Sequence, residues 1–244
     1  MTIEYDGTDY SGFQRQRNQM TVQEAIETAA GRIEGRPVTV VVAGRTDAGV
    51  HAMAQVISFT TARDLSPEIW VRALNDLLPP TIAAREAWHY DGPFNPRYRA
   101  ITRVYRYTLR DGPTRTAIGR QYVWHVAGIL DVEAMDRALR HLIGTHDFSS
   151  FSGRSAGPRR STVRTITSAY CRRDDGHIVV EIAANAFLPH MVRNIVGTIV
   201  PIGRGTADAD SIRDVLERRD RSAAGPTAPP HGLCLVRVHF GERQ

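Results

Sequence analysis

Val38-Thr39-Val40-Val41-Val42-Ala43-Gly44-Arg45-Thr46-Asp47-Ala48-Gly49-Val50-His51-Ala52 is the stretch on which the first half of the chain turns. The β-branched run Val38 to Ala43 reads as a buried strand. Glycines at 44 and 49 let the backbone turn sharply or pass close to a ligand. Beyond the loop, Gln55 to Thr61 alternates and reads as a second strand. Working outward, Thr2-Ile3-Glu4-Tyr5-Asp6-Gly7 suits a strand ending in a turn. Thr21-Val22-Gln23-Glu24 has the form of a capping box, and opens a helix with Val22, Ala25, Ile26, Ala29, Ala30 and Ile33 at helical spacing. Ser66-Pro67-Glu68 predicts a second helix, running to about Leu78 before Pro79-Pro80. Ile82 to His89 reads as the closing strand. Strand, helix, strand, strand, helix, strand is the ferredoxin-like order.

Similar elements follow a connector at Asp91 to Pro96. Val104 to Leu109, Arg164 to Cys171, Ile178 to Ala184 and Leu233 to Phe240 read as strands. Helices are expected over Asp131 to Ile143, near His190, and over about Asp208 to Arg219. The fold class is therefore α+β, with two ferredoxin-like (RRM-like) subdomains carrying antiparallel sheets. The first spans 1–101 and carries the Asp47 loop; the second spans 102–244. Two stretches read as mobile: Gly153 to Ser161, basic and glycine-rich, and Ser222 to His231, rich in proline and alanine.

Composition sets limits on function. No apolar run approaches the roughly 18 residues that span a bilayer, and the first residues form no basic, apolar leader, so a cytoplasmic protein is expected. Cys171 and Cys234 form no C-x-x-C pair and read as buried, inert thiols, with no metal implied. The chain has 31 basic residues against 26 acidic ones, and every one of the 31 is arginine. Arginine forks suit phosphates and bases, although biased codon usage gives the same composition. Neither a Walker loop nor a dinucleotide fingerprint stands in proper context, so no nucleotide cofactor is expected.

By residue type alone, Asp47 reads first as a solvated turn residue in a β–β connection. Gly44-Arg45-Thr46-Asp47-Ala48-Gly49-Val50-His51, however, resembles the active-site loop of the tRNA pseudouridine synthase A family (TruA). Further segments resemble the family in the same order: Glu4 to Gly7 with Gly12 to Gln16, Arg103 to Tyr107, His146 to Phe151, and Asn185 to Leu188 followed by His190 to Gly197. Three features depart from the pattern: Phe13 where the family usually has tryptophan, Pro189 before His190, and a short lead into the first strand.

The resemblance implies an isomerase that converts uridine to pseudouridine at positions 38, 39 and 40 of the tRNA anticodon stem–loop. It implies no cofactor, a homodimer, and an active cleft between the subdomains. It assigns the catalytic carboxylate to Asp47, with Arg193 as the cation beside it. Tyr105 is the candidate for contact with the flipped base, and Arg45 for holding the displaced nucleotide. Arg103, Tyr105 and Tyr107 share one strand face and are expected to form an RNA-facing patch. Arg154, Arg159 and Arg160 are candidates for backbone contacts, while His51 and His190 read as structural. Two rival functions stay open at this level: a non-catalytic RNA-binding protein and a sugar–base hydrolase. The second lacks an evident carboxylate to activate water.

Overall fold

The computed structural model describes residues 1–153 and 161–241. In chain order, its strands and α-helices are β1 (Thr2–Tyr5), α1 (Val22–Glu34), β2 (Val41–Val42), β3 (His51–Ser58), α2 (Pro67–Asn75), β4 (Ile82–Glu86), α3 (Pro96–Arg99), β5 (Ala100–Asp111), β6 (Trp124–Val126), α4 (Val132–Arg140), β7 (Gly144–Asp147), β8 (Val163–Asp174), β9 (His177–Ala184), α5 (Met191–Gly203), α6 (Ser211–Arg218) and β10 (Leu233–Phe240). The fold is a mixed α+β one. Two compact units form, Met1–Arg103 with Cys234–Gln244, and Val104–Leu233.

In the first unit β1 is central and antiparallel to both neighbours. Tyr5 lies opposite Ala52 of β3 on one side and Ile82 of β4 on the other. The last strand returns here: β10 runs parallel to β3, with Cys234 opposite His51 and Leu235 opposite Ala52. A division by sequence order at residue 101 places this strand with the second unit instead. The early ladder on β3 is open to it because β2 pairs only at the far end, Val41 with Ser58 and Val42 with Ile57. The strand expected over Val38 to Ala43 is thus two residues long. Val40 and Ala43 are buried but Val41 is exposed, so the run packs as an edge and not as a core strand.

Helix starts follow their capping chemistry. Thr21 accepts a hydrogen bond from the Glu24 amide at 3.4 Å, while the Glu24 carboxylate meets Arg15. Gly35 ends α1 in the left-handed conformation and donates to the Gly31 carbonyl at 2.9 Å. Ser66 caps α2, which stops at Asn75, three residues short of the expected end. Asn75 there pairs its side-chain amide with the backbone of Ala84, tying the helix end to β4.

The second unit orders its strands β5-β9-β8-β7, with β6 parallel to β5. β8 and β9 form a long hairpin through Asp175-Gly176, both at positive φ, the geometry of a type I′ turn. Helix α4 packs on β8 and on α5. Its N-cap is Asp131, which accepts from the Ala134 amide at 2.8 Å. Pro189 lies outside α5: His190, at φ 59°, is the N-cap and helical geometry begins at Met191.

Ser222 to His231 is not the loose segment its composition suggests. Arg221 donates to the carbonyls of Ala224 and Gly225, and Tyr107 donates to that of Pro229 at 2.8 Å. The basic stretch at Arg154, Arg159 and Arg160 lies outside the described residues.

One ion pair ties the end of β5 to β8. Arg173 meets both oxygens of Asp111, at 2.9 and 2.6 Å, and the Leu130 amide donates to the same carboxylate. The Arg173 guanidinium holds the Asp111 carboxyl down at about 2, against burial that pushes it up. An unfolded aspartate titrates near about 3.9. The depressed folded value means the pair stabilises fully above that range and is lost as pH falls from about 4 towards 2. Arg173 is half in solvent, so the contribution is discounted to about 1 kcal/mol. Asp111→Asn should lower stability by that amount at neutral pH and by progressively less below about pH 4. Chemical denaturation at several pH values checks this.

Candidate active site

The loop from Gly44 to Val50 is held by the segment that follows β1. The Phe13 amide donates to the Thr46 carbonyl at 3.0 Å, and the Gly49 amide to the Tyr10 carbonyl at 3.2 Å. Within the loop, the Val50 amide donates to the Asp47 carbonyl at 3.1 Å, closing a turn that Gly49, at φ 74°, completes. These bonds need close backbone approach. A side-chain carbon on Gly7 would stand 2.0 Å from the Val50 carbonyl oxygen, and one on Gly12 would stand 2.9 Å from that of Thr46. Gly12 is also at φ 91°. Both positions therefore exclude any side chain.

Beneath the loop lies a buried polar cluster. The Thr46 hydroxyl is 2.7 Å from the Tyr5 hydroxyl, and the Gln55 amide donates to the Gly44 carbonyl at 2.6 Å and to the Tyr5 oxygen at 3.4 Å. Burial pushes the Tyr5 phenol well above its ordinary range, so it stays a neutral hydroxyl. Thr46 points inward, which leaves Arg45 exposed on one side of it and Asp47 half-buried on the other. His51, read as structural from sequence, is buried: its Nδ1 accepts from the Gly7 amide at 3.0 Å and lies 3.1 Å from Asp6.

Arg103 supports the loop from its strand side. This buried guanidinium donates to the carbonyls of Ala43, Arg97 and Ala100 at 2.6–3.0 Å. It is therefore spent on backbone, and Tyr107 is wholly buried. The expected RNA-facing patch of Arg103, Tyr105 and Tyr107 is instead a buried face of β5, which Leu109 continues. Even-numbered Arg106 is the partly exposed one, and it pairs with Glu181 at 2.9 Å.

In the second unit, Tyr105 is nearly buried and meets the Phe187 ring edge-on, with centroids 4.9 Å apart. Arg193 sits on the first turn of α5, and its Nε donates to the Ala228 carbonyl at 2.8 Å. The Ala228 amide returns a bond to the Arg193 carbonyl at 3.1 Å. His190 is exposed, and its carbonyl accepts from the Asn194 amide. Phe13 is fully buried against Tyr5, so at this position the departure from tryptophan is a packing matter. Cys171 is buried, and burial pushes its thiol up to about 12; Cys234 is half-buried. Among the described residues no cluster of three or more His, Cys, Asp or Glu side chains is placed to hold a metal ion. No described helix is long and apolar enough to cross a membrane.

Sequence reasoning missed Tyr5, Gln55 and Ala228, and gave Phe187 no task. Gly7 and Gly12 carried the one available signal, since glycines flanking an aspartate loop's neighbour mark close approach.

The family model described as tRNA pseudouridine synthase matches residues 1–99 and 138–241. A protein named tRNA pseudouridine synthase A from Acetivibrio thermocellus is 43% identical over 242 residues, covering 98% of both chains. Proteins of the same name from Geotalea uraniireducens and Geobacter sulfurreducens are 40% and 42% identical, again over 98% of each chain. A distant likeness, at TM-score 0.38 and 10% identity, covers 99% of this chain and 59% of a chain in a crystal structure of a Cbf5-Nop10-Gar1 complex. With the family profile spanning both units and relatives of this identity running nearly end to end, the chain belongs to the tRNA pseudouridine synthase family.

Proposed function

We propose that this isomerase converts uridines 38, 39 and 40 of the tRNA anticodon stem–loop to pseudouridine, with Asp47 acting at the ribose anomeric carbon. The reaction breaks the bond from C1′ to N1, turns the base and joins C1′ to C5. The C5 proton leaves and N1 gains one, so atoms and electrons balance without an oxidant or a co-substrate. The step needs an ionised group at the sugar–base junction, as nucleophile or as stabiliser of a cationic or glycal-like sugar. The observation that carries the reading is the double glycine clamp on the Asp47 loop. It fixes a half-buried carboxylate on a rigid support, as preorganised catalysis requires.

The other roles follow from the same reading. Arg193 is the cation that favours the ionised carboxylate. Tyr105, braced by Phe187, contacts the extruded base, and Arg45 holds the displaced nucleotide or its phosphate. Both units are ferredoxin-like, with a boundary near residue 101 in the continuous part of the chain. The working form is a cytoplasmic homodimer that receives one tRNA across both subunits.

Asp47→Asn should reduce isomerisation to background while tRNA binding survives; chemical mapping of pseudouridine in unmodified tRNA, beside filter binding, reads both. Appreciable turnover by that variant rejects the assignment, and release of free uracil by the unaltered protein favours a hydrolase. Arg193→Met should slow the reaction by roughly 100- to 1,000-fold, the scale for loss of one preorganised charge partner. An undiminished rate in the folded variant removes that role. The logarithm of tRNA affinity should fall linearly with the logarithm of salt concentration, as arginine–phosphate contacts release counterions. A flat dependence, read by titration at several ionic strengths, excludes an arginine–phosphate interface.

A further inference from the structure

We infer that Arg221 is a positioning residue for Arg193, acting through the segment 224–230 that straps across α5. This deepens the proposed role of Arg193 and rests on it.

The strap lies on the helix with no room between the two backbones. A side-chain carbon on Gly197 would stand 1.7 Å from the Pro226 carbonyl oxygen, and one on Gly225 would stand 2.5 Å from that of Gly197. Pro201, four residues after Gly197, has no amide to offer that carbonyl. The helix is thus locally stripped of side chain and hydrogen bond where the strap crosses.

Arg221 ties the strap down at its start. It donates to the Ala224 and Gly225 carbonyls, to Asn194 Oδ1 at 3.0 Å, and to Thr227 Oγ1 at 3.1 Å. Thr227 in turn donates to Asn194 Oδ1 at 2.7 Å. Asn194 is fully buried and neighbours Arg193 on the helix. One residue beyond Thr227, Ala228 exchanges two hydrogen bonds with Arg193, one of them to the side-chain Nε. The far end is held by the Tyr107 hydroxyl on the Pro229 carbonyl. Arg221 thus sets where the Ala228 carbonyl stands, and that carbonyl sets the direction of the Arg193 guanidinium. A fork of five N–H groups can do this; a single ammonium cannot reach four acceptors in this geometry.

The test compares Arg221→Met, Thr227→Val, Thr227→Ser and Arg193→Met. Each is assayed for tRNA affinity and for the single-turnover rate with saturating enzyme. Arg221→Met and Thr227→Val should lose rate, by up to about 100-fold, as misplacement of a reacting group does. Their tRNA affinity should stay within about twofold of the unaltered protein. Thr227→Ser, which keeps the hydroxyl, should restore the rate. Combining Arg221→Met with Arg193→Met should cost nothing beyond Arg193→Met alone, since both act through one group. Losses that multiply in the double variant, or a normal rate in folded Arg221→Met or Thr227→Val, overturn the inference. Should Arg221→Met fail to fold, Thr227→Val and Thr227→Ser decide. A normal rate in Arg193→Met brings down the reading of Arg193 and this inference together. A slow Arg193→Met beside fast Arg221 and Thr227 variants brings down the inference alone.

Discussion

The contact between two backbones, Gly7 to Gly12 on one side and Thr46 to Val50 on the other, is what the first unit is arranged around. Neither segment has regular secondary structure at the point of contact, so each must satisfy its amides elsewhere. They do so on each other through the Phe13 and Gly49 amides, while the Gly7 amide donates to the His51 side chain. The cost is that no Cβ fits at 7 or 12. β1 and β3 flank this contact as neighbouring strands, so the register that pairs Tyr5 with Ala52 also sets the two loops against each other. A slip of one residue would turn Tyr5 away from Thr46 and leave buried hydroxyls unpaired, at about 1–3 kcal/mol for each.

The second unit uses the same device with a helix in place of a loop. Gly197 and Gly225 allow a backbone crossing, and a buried polar network fills the rest of the contact. Asn194 is the hub: its amide donates to the Phe151 carbonyl, and its oxygen accepts from Arg221 and Thr227. Such a network specifies one arrangement because every alternative leaves a buried group unsatisfied. Both candidate catalytic side chains, Asp47 and Arg193, are therefore supported by elements whose position is fixed by glycine contacts and satisfied amides.

Most helices and hairpins were legible because their signals are local. Thr21, Ser66 and Asp131 each cap as their side chains dictate, and β10 begins and ends where its sequence suggests. What was not legible depends on partners distant in sequence. Val38 to Val42 has strand chemistry, yet only two residues pair, because in the antiparallel register Val38 to Val40 fall opposite residues 61 to 59, past the end of β3 at Ser58. The proline-rich segment after Arg221 has no periodicity to read, but one arginine and one tyrosine fasten it. For the site, the Asp47 loop could be placed by its residues and by resemblance. The hydroxyl cluster beneath it could not, since Tyr5, Thr46 and Gln55 lie on three separate segments and look unremarkable on each.

The all-arginine composition illustrates why net charge is a poor map of a nucleic-acid surface. Arg103, Arg173 and Arg221 account for three of the cations, and each is engaged with carbonyls, carboxylates or side-chain oxygens of its own unit. Arg103 alone satisfies three backbone carbonyls, that of Ala43 just before the Asp47 loop and those of Arg97 and Ala100 at α3. Lysine could not replace it there: an ammonium offers three donors from one point, whereas these acceptors lie around a plane. Arginine in this chain is therefore partly an architectural residue: a guanidinium bonded to carbonyls keeps its charge, but commits N–H donors within its own unit. Exposed positions such as Arg45, more than the pI, bear on where a phosphate backbone is drawn in.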